Sequence, residues 1–259
     1  MGGLVGCISA LRRSGVWAGL DTRLHVHVPA GSKRLRIDEV AAVGRDRSTS
    51  RSDTSFLAEA GAPRVHWQRP VKRIPFGRDC GTTDWIVPPL LALRQAVLCQ
   101  DEEHAIASID SALRTRFIAH GQLDLLFETL PSRLRRLRRE LDPLADSGTE
   151  SIFRVRLRRL GHVVELQRAV PGSSKFDALV DDVVAIDLDS KRWHSDDRQQ
   201  IWDYDKTLQS IAWGRPVIRI LPHHLFEYWP ETLQAIERAV DDARKLRRYR
   251  QGRPKSARF

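Results

Sequence analysis

Lysine is scarce in this 259-residue chain, long apolar runs are missing, and its three cysteines never come in pairs. No stretch approaches the ~18 consecutive apolar residues of a membrane-spanning helix, which argues against an integral helical membrane protein. The opening MGGLVGCISALRRSGVW has no basic segment leading into an unbroken apolar core, because Arg12 and Arg13 interrupt the only candidate. No secretory signal is read there, and the expected compartment is the cytoplasm, away from membranes. Cys7, Cys80 and Cys99 are odd in number, far apart and without a C-x-x-C pair. That spacing argues against a disulfide framework and against a structural zinc cluster, so free, mostly buried thiols are expected. No internal repeat is present.

Arginine is plentiful. Of 43 basic residues only seven are lysine, and the formal net charge is +10. Guanidinium groups fork onto phosphate, and a basic surplus is the electrostatic footprint of a nucleic-acid binder, so DNA is the expected partner. A second reading stands beside it: residues 243–259 alone carry eight positive charges and no acid, leaving +2 for the rest of the chain.

The length suits two domains. In the first, RLHVHVPA alternates polar and apolar residues and LRIDEV follows a Pro-Ala-Gly break, which predicts a hairpin. Residues 44–55 read as a polar loop, and RVHWQRP and KRIPF as short strands. Pro88 and Pro89 open a helical region with LLALRQAVL, EEHAIASIDSALR and GQLDLLFETL, closed by SRLRRLRREL. In that last helix Leu134, Leu137 and Leu141 form a narrow apolar stripe; the arginines around it, Arg135, Arg136 and Arg139 among them, are either a solvated face or DNA-backbone contacts. A boundary falls in LDPLADSGTE, giving an α+β domain over 1–143 and a second domain over 144–242, followed by a basic tail over 243–259 without ordered structure. The second domain reads αβββαβα, which predicts a mixed sheet with helices on its faces, an α/β or α+β fold.

The stretch KFDALVDDVVAIDLDSKRWH places Asp177, Asp187 and Asp189 inside two strand-like runs. Asp187 and Asp189 share one face of their strand, and two acids on a central strand are tolerated at an edge, at a strand end, or where a cation neutralises them. Hard cations such as Mg²⁺ or Mn²⁺ take carboxylate oxygens. Register decides whether Asp177 joins them. A two-residue turn at Asp181 and Asp182 turns Asp177 away from Asp187, whereas a three-residue turn over 181–183 pairs Val180 with Val184 and brings the two acids to one face. The odd turn is expected. Glu150 has two readings: SGTE is a capping box needing no function, and Glu150 with Phe153 and Leu157 also lies on the stripe expected to face the sheet. His194, beyond the strand, is a candidate general base; Trp193 is a stacking or packing residue and Lys191 a candidate phosphate contact.

SGTESIFRVRLRRLG, PGSSKFDALVDDVVAIDLDSKRWHSD and WDYDKTLQSIAWGRPVIRIL, over about 146–240, resemble endonuclease-domain proteins akin to very-short-patch-repair endonucleases, in the PD-(D/E)xK nuclease superfamily. The resemblance implies a restriction-endonuclease-like fold. It also implies an Mg²⁺- or Mn²⁺-dependent DNA endonuclease with Glu150 as helix acid, Asp177 and Asp187 as metal-binding acids, Asp189 as the acid two residues on, and His194 as the following histidine. The strand reads IDLDS where those relatives prefer IEVDG, and Lys206-Thr207 stands where an Arg-Asp pair is usual, with Lys206 a further DNA-contact candidate. These departures favour the alternative, a DNA-binding or regulatory protein of toxin–antitoxin type that keeps the fold without cutting. Residues before Leu141 resemble the region similar to AbiEi-type antitoxins found in two-part relatives, a winged helix being expected upstream; a toxin or repair protein is then the implied protein partner.

Overall fold

The structure is a computed structural model that describes residues 3–29, 63–68, 74, 85–169, 175–188, 207–212 and 214–251. The chain divides into two compact units, Met1–Pro143 and Leu144–Phe259. Both follow the α+β pattern, with, among the described residues, a three-stranded and a four-stranded sheet flanked by helices.

In the N-terminal unit, β1 (Leu4–Val5) leads into α1 (Cys7–Arg13). Next come β2 (His25–Pro29) and β3 (Arg64–Gln68). The sheet order is β1-β2-β3, with β1 antiparallel and β3 parallel to β2. The expected partner of β2, LRIDEV, lies outside the described residues, and RVHWQ takes a place beside it in parallel. The alternation in β2 is real, but its polar face is inward: His25 and His27 are buried, as is Val28 on the opposite face.

Helices α2 (Pro89–Cys99) and α3 (Glu102–Arg114) form where the apolar periodicity predicts them. Pro89 sits at the start of α2, where its missing N–H costs nothing. Asp101 caps α3 by accepting the His104 N–H at 2.9 Å, with Glu102 and Glu103 in the positive first turn. The apolar faces of α1, α2 and α3 supply the core, including Ile8, Leu11, Leu93, Ile106 and Ile109. Beyond α4 (Leu123–Glu128), the arginine-rich segment is no continuous α-helix. It is a single turn, α5 (Ser132–Arg135), continued as a 3-10 helix, Arg136–Glu140. The tighter winding keeps Leu134 and Leu137 buried three residues apart.

The C-terminal unit opens with α6 (Gly148–Arg159), capped by Ser147, whose hydroxyl accepts the Glu150 N–H at 3.2 Å. Gly161, at φ +94°, ends it, the His162 N–H returning to the Leu157 carbonyl. Strands β4 (Val164–Ala169), β5 (Lys175–Val180) and β6 (Val184–Leu188) form an antiparallel meander. A crossover containing helix α7 (residues 207–212) then returns the chain to β7 (Val217–Ile220), parallel to β6. Every residue of β6 is buried, as befits an interior strand. α8 (Pro222–Phe226) and α9 (Trp229–Gln251) complete the unit. The expected unstructured tail from 243 is corrected here as far as Gln251, because α9 continues to that residue and two of its arginines pair with carboxylates. Arg244 pairs with Asp181 at 3.1 Å and Arg247 with Asp182 at 2.9 Å. Among the described residues no helix is long and apolar enough to cross a membrane.

Candidate functional site

The turn between β5 and β6 is the three-residue one. Val180 pairs with Val184 across Asp181–Val183, with Leu179 opposite Ala185 and Ala178 opposite Ile186. Asp181 and Asp182 adopt φ +52° and +57°, a left-handed conformation that aspartate tolerates better than most residues. His162 Nδ1 and the Val163 N–H donate to the Asp181 carboxylate at 2.7 and 2.9 Å. Burial opposes its ionisation, yet these donors and Arg244 hold it below the ordinary aspartate value.

Carried one step beyond the Ala178–Ile186 pair, that register puts Asp177 opposite Asp187 on the same face. The row extends both ways. On β4, Gln167 falls between the pairs Leu166–Ala178 and Arg168–Phe176, opposite Asp177; on β7, Arg219 pairs with Asp187. Gln167, Asp177, Asp187 and Arg219 thus cross the sheet as one polar row. The Asp177 carboxylate accepts the Leu188 N–H at 2.6 Å, Asp187 is 9 % exposed, and Arg219 is exposed.

Glu150 reaches this row from the first turn of α6 and is only 4 % exposed. Its Oε2 accepts the Asp146 N–H and the Gln167 side-chain amide, both at 2.9 Å, and its Oε1 accepts the Ser147 hydroxyl at 3.0 Å. Both readings of Glu150 are thereby realised in one side chain, a helix cap and a buried carboxylate at the sheet. Burial pushes its carboxyl above the ordinary glutamate value. The Asp146 and Gln167 donors pull it back, the Asp177 charge adds to the rise, and the Ser147 hydroxyl opposes it. Gln167 holds φ +53° to make its contact, a strained backbone for a residue with a side chain. Sequence reasoning missed Gln167 and Arg219, because nothing in ELQRA or VIRI marks a site until register aligns them with the aspartates.

Asp189, Lys191, Trp193, His194 and Lys206 lie outside the described residues. Arg135, expected on a solvated or DNA-facing surface, donates from its guanidinium to the carbonyls of Leu130 and Glu128 at 3.1 and 3.2 Å. Arg136 pairs with Glu102 and Glu140, and Arg139 is exposed.

Among the described residues, the group of His, Cys, Asp or Glu side chains whose ligating atoms all lie within 4.8 Å of one another is not the acidic one. It consists of Cys7, His25, His66 and Cys99 in the N-terminal unit. This overturns the expectation that the cysteines are too scattered for a metal cluster. Cys7 opens α1, Cys99 ends α2, and the parallel register of β2 and β3 sets His66 opposite His27, one step along the same face from His25. His25 Nδ1 stands 3.0 Å from His66 Nε2, and the Cys99 sulfur lies 3.8 and 3.9 Å from those two nitrogens. His25 Nε2–H donates to Asp21 at 3.3 Å, and Arg23 grips the same carboxylate at 2.7 Å.

The backbone of Cys7 is held by its N–H donating to Gln95 Oε1 at 2.9 Å, at a strained φ of +52°. A Cβ on the preceding Gly6 would come within 2.5 Å of that same oxygen, so a larger residue there would push the Gln95 side chain away from Cys7. Burial pushes the Cys7 thiol up. Its hydrogen bond to Cys99 pulls the Cys99 thiol down; burial opposes that lowering, and His25 and His66 reinforce it. The cluster is a Cys₂His₂ donor set able to chelate a metal ion. The sequence signal that bears on it is the H-x-H of β2 beside the histidine of VHW.

Comparison with protein-family models, with curated proteins and with solved structures finds no match to this chain.

Proposed function

We propose that the C-terminal unit is a metal-dependent nuclease that hydrolyses phosphodiester bonds in DNA. The observation that carries this reading is the β5–β6 register, which puts Asp177 and Asp187 on one face, with Glu150 near Asp177. Asp177 and Asp187, assisted by Glu150, are the residues that would hold Mg²⁺ or Mn²⁺; the ion's contribution when bound is an acidified water and charge stabilisation at the phosphate. Gln167 and the Asp146 N–H orient Glu150. Arg219, exposed at the β7 end of the row, supplies the planar guanidinium that suits a phosphate. From the resemblance, Asp189 and His194 are the remaining candidates for the reaction, His194 as general base.

A second reading, a DNA-binding or regulatory protein that does not cut, is favoured by one observation. Glu150 is already satisfied by three donors of its own unit, as a structural carboxylate would be.

Supercoiled plasmid incubated with Mn²⁺ or Mg²⁺ tests both, using the parent protein beside Asp177→Ala and Asp187→Ala prepared identically. Nicking by the parent, reduced by at least about 100-fold in each variant, is the expected outcome. A parent that never nicks but retards labelled DNA at low salt would establish the second reading instead.

A further inference from the structure

We infer that Cys7, His25, His66 and Cys99 bind one Zn²⁺ ion in a closed, four-coordinate structural site, and that Asp21 positions His25 for it. The inference is independent of the nuclease reading, since the cluster belongs wholly to the N-terminal unit.

Geometry is the first argument. With Zn–N near 2.05 Å and Zn–S near 2.3 Å, tetrahedral donors stand roughly 3.3–3.8 Å apart. The separations of 3.0, 3.8 and 3.9 Å among His25, His66 and Cys99 lie within a few tenths of an ångström of that range. The fourth donor, Cys7, is within 4.8 Å of each of the others.

Charge and chemistry narrow the ion. Two thiolates and two neutral imidazoles around a divalent cation sum to zero, which suits a site where Cys7 and His25 are wholly buried. Thiolate and imidazole are soft and borderline ligands, matched to Zn²⁺ and poorly to Mg²⁺ or Ca²⁺, which take oxygen.

His25 also makes the outward hydrogen bond to a carboxylate that metal-bound histidines typically make. The Nε2–H of His25 points at Asp21, so the neutral ring presents Nδ1 bare to the cluster, and Arg23 fixes the carboxylate in turn.

The role follows from coordination number. Four protein ligands leave no position for water or substrate, which distinguishes a structural site from a catalytic one. The ligands come from α1, β2, β3 and α2, and among the described residues the sheet they join has one strand of two residues and two of five. An ion tying four elements together compensates for so small a sheet.

Metal analysis of the full chain, purified with reduced thiols, tests the site. About one zinc per chain is expected, released in step with titration of the thiols by a mercurial. Cobalt(II) exchanged into the same protein should show the intense visible bands of a tetrahedral ion with a thiolate charge-transfer band, a readout that needs no variant. Cys99→Ser and His66→Ala should lose the zinc, and Cys80→Ser should keep it. Asp21→Asn should keep it with affinity reduced about 10- to 100-fold against a competing chelator. A reduced protein that carries no zinc and shows no tetrahedral cobalt spectrum would overturn the site. So would a Cys7–Cys99 disulfide in the freshly isolated chain, and unchanged affinity in Asp21→Asn would remove Asp21 from it.

Discussion

Single side chains in this protein do work that their identity alone does not announce. Asp181 sits in a turn, where aspartate is common, yet only 6 % of its side chain is exposed and it accepts from His162 and Val163 while facing Arg244. Its folded-state carboxyl lies below the ordinary value near 3.9, so its stabilisation is complete above that pH and is lost as pH falls through the lowered value. Asp181→Asn keeps the shape and the left-handed backbone while removing the charge. It should lower stability at pH 7 by about 1–2 kcal/mol in urea unfolding, with the gap to the parent closing in acid. A gap that stays constant down to the acid limit would show that charge is not what Asp181 contributes. Glu150 teaches the same lesson from the other side. SGTE marks it as a cap residue, and the cap is formed, but the contacts to Gln167 and the neighbouring Asp177 appear only when β4 and β5 lie beside it.

At the scale of elements, regular periodicity was readable and backbone winding was not. The apolar spacing of LLALRQAVL and EEHAIASIDSALR marks α2 and α3, since a core-facing stripe at helical period is a local property. The arginine segment carries a similar stripe but turns into a 3-10 helix after Arg135, where Arg135 itself bonds back to Leu130 and Glu128. The β5–β6 turn was legible through its consequence: three acids on two strands make sense only if an odd turn brings Asp177 and Asp187 to one face. Deleting Asp182 leaves a two-residue turn and reverses the facing of one strand relative to the other. The shortened chain should lose Mn²⁺-dependent nicking as completely as Asp177→Ala. It should also unfold at a lower temperature, because Asp182 pairs with Arg215 and Arg247. A deletion variant that still nicks would separate the activity from this register.

The whole molecule has two compact units, each with its own sheet, and the two proposed metals differ in kind: a thiolate–imidazole zinc site in one, a carboxylate site in the other. Their responses to metal removal should differ accordingly. In calorimetry, a zinc-selective chelator should lower the melting of the N-terminal unit by roughly 10 °C or more while leaving the C-terminal transition in place. Zinc, and not Mg²⁺, should restore it. A single transition that shifts as a whole would mean that the units unfold together.

Composition and local pattern determined the fold class, the paired helices of the first half and, apart from the short α8, the succession of helices and strands in the second. These follow from hydrophobic period, proline and glycine placement and capping residues, all of which act over a few neighbours in the chain. The tertiary structure alone decided the Cys/His cluster, whose members are separated by 17, 40 and 32 intervening residues. It also decided that β2 turns its histidines inward and that Gln167 and Arg219 extend the aspartate row. Ligand convergence and cross-strand register are properties of which elements pack side by side. No spacing along the chain encodes them when each donor is delivered by a different element.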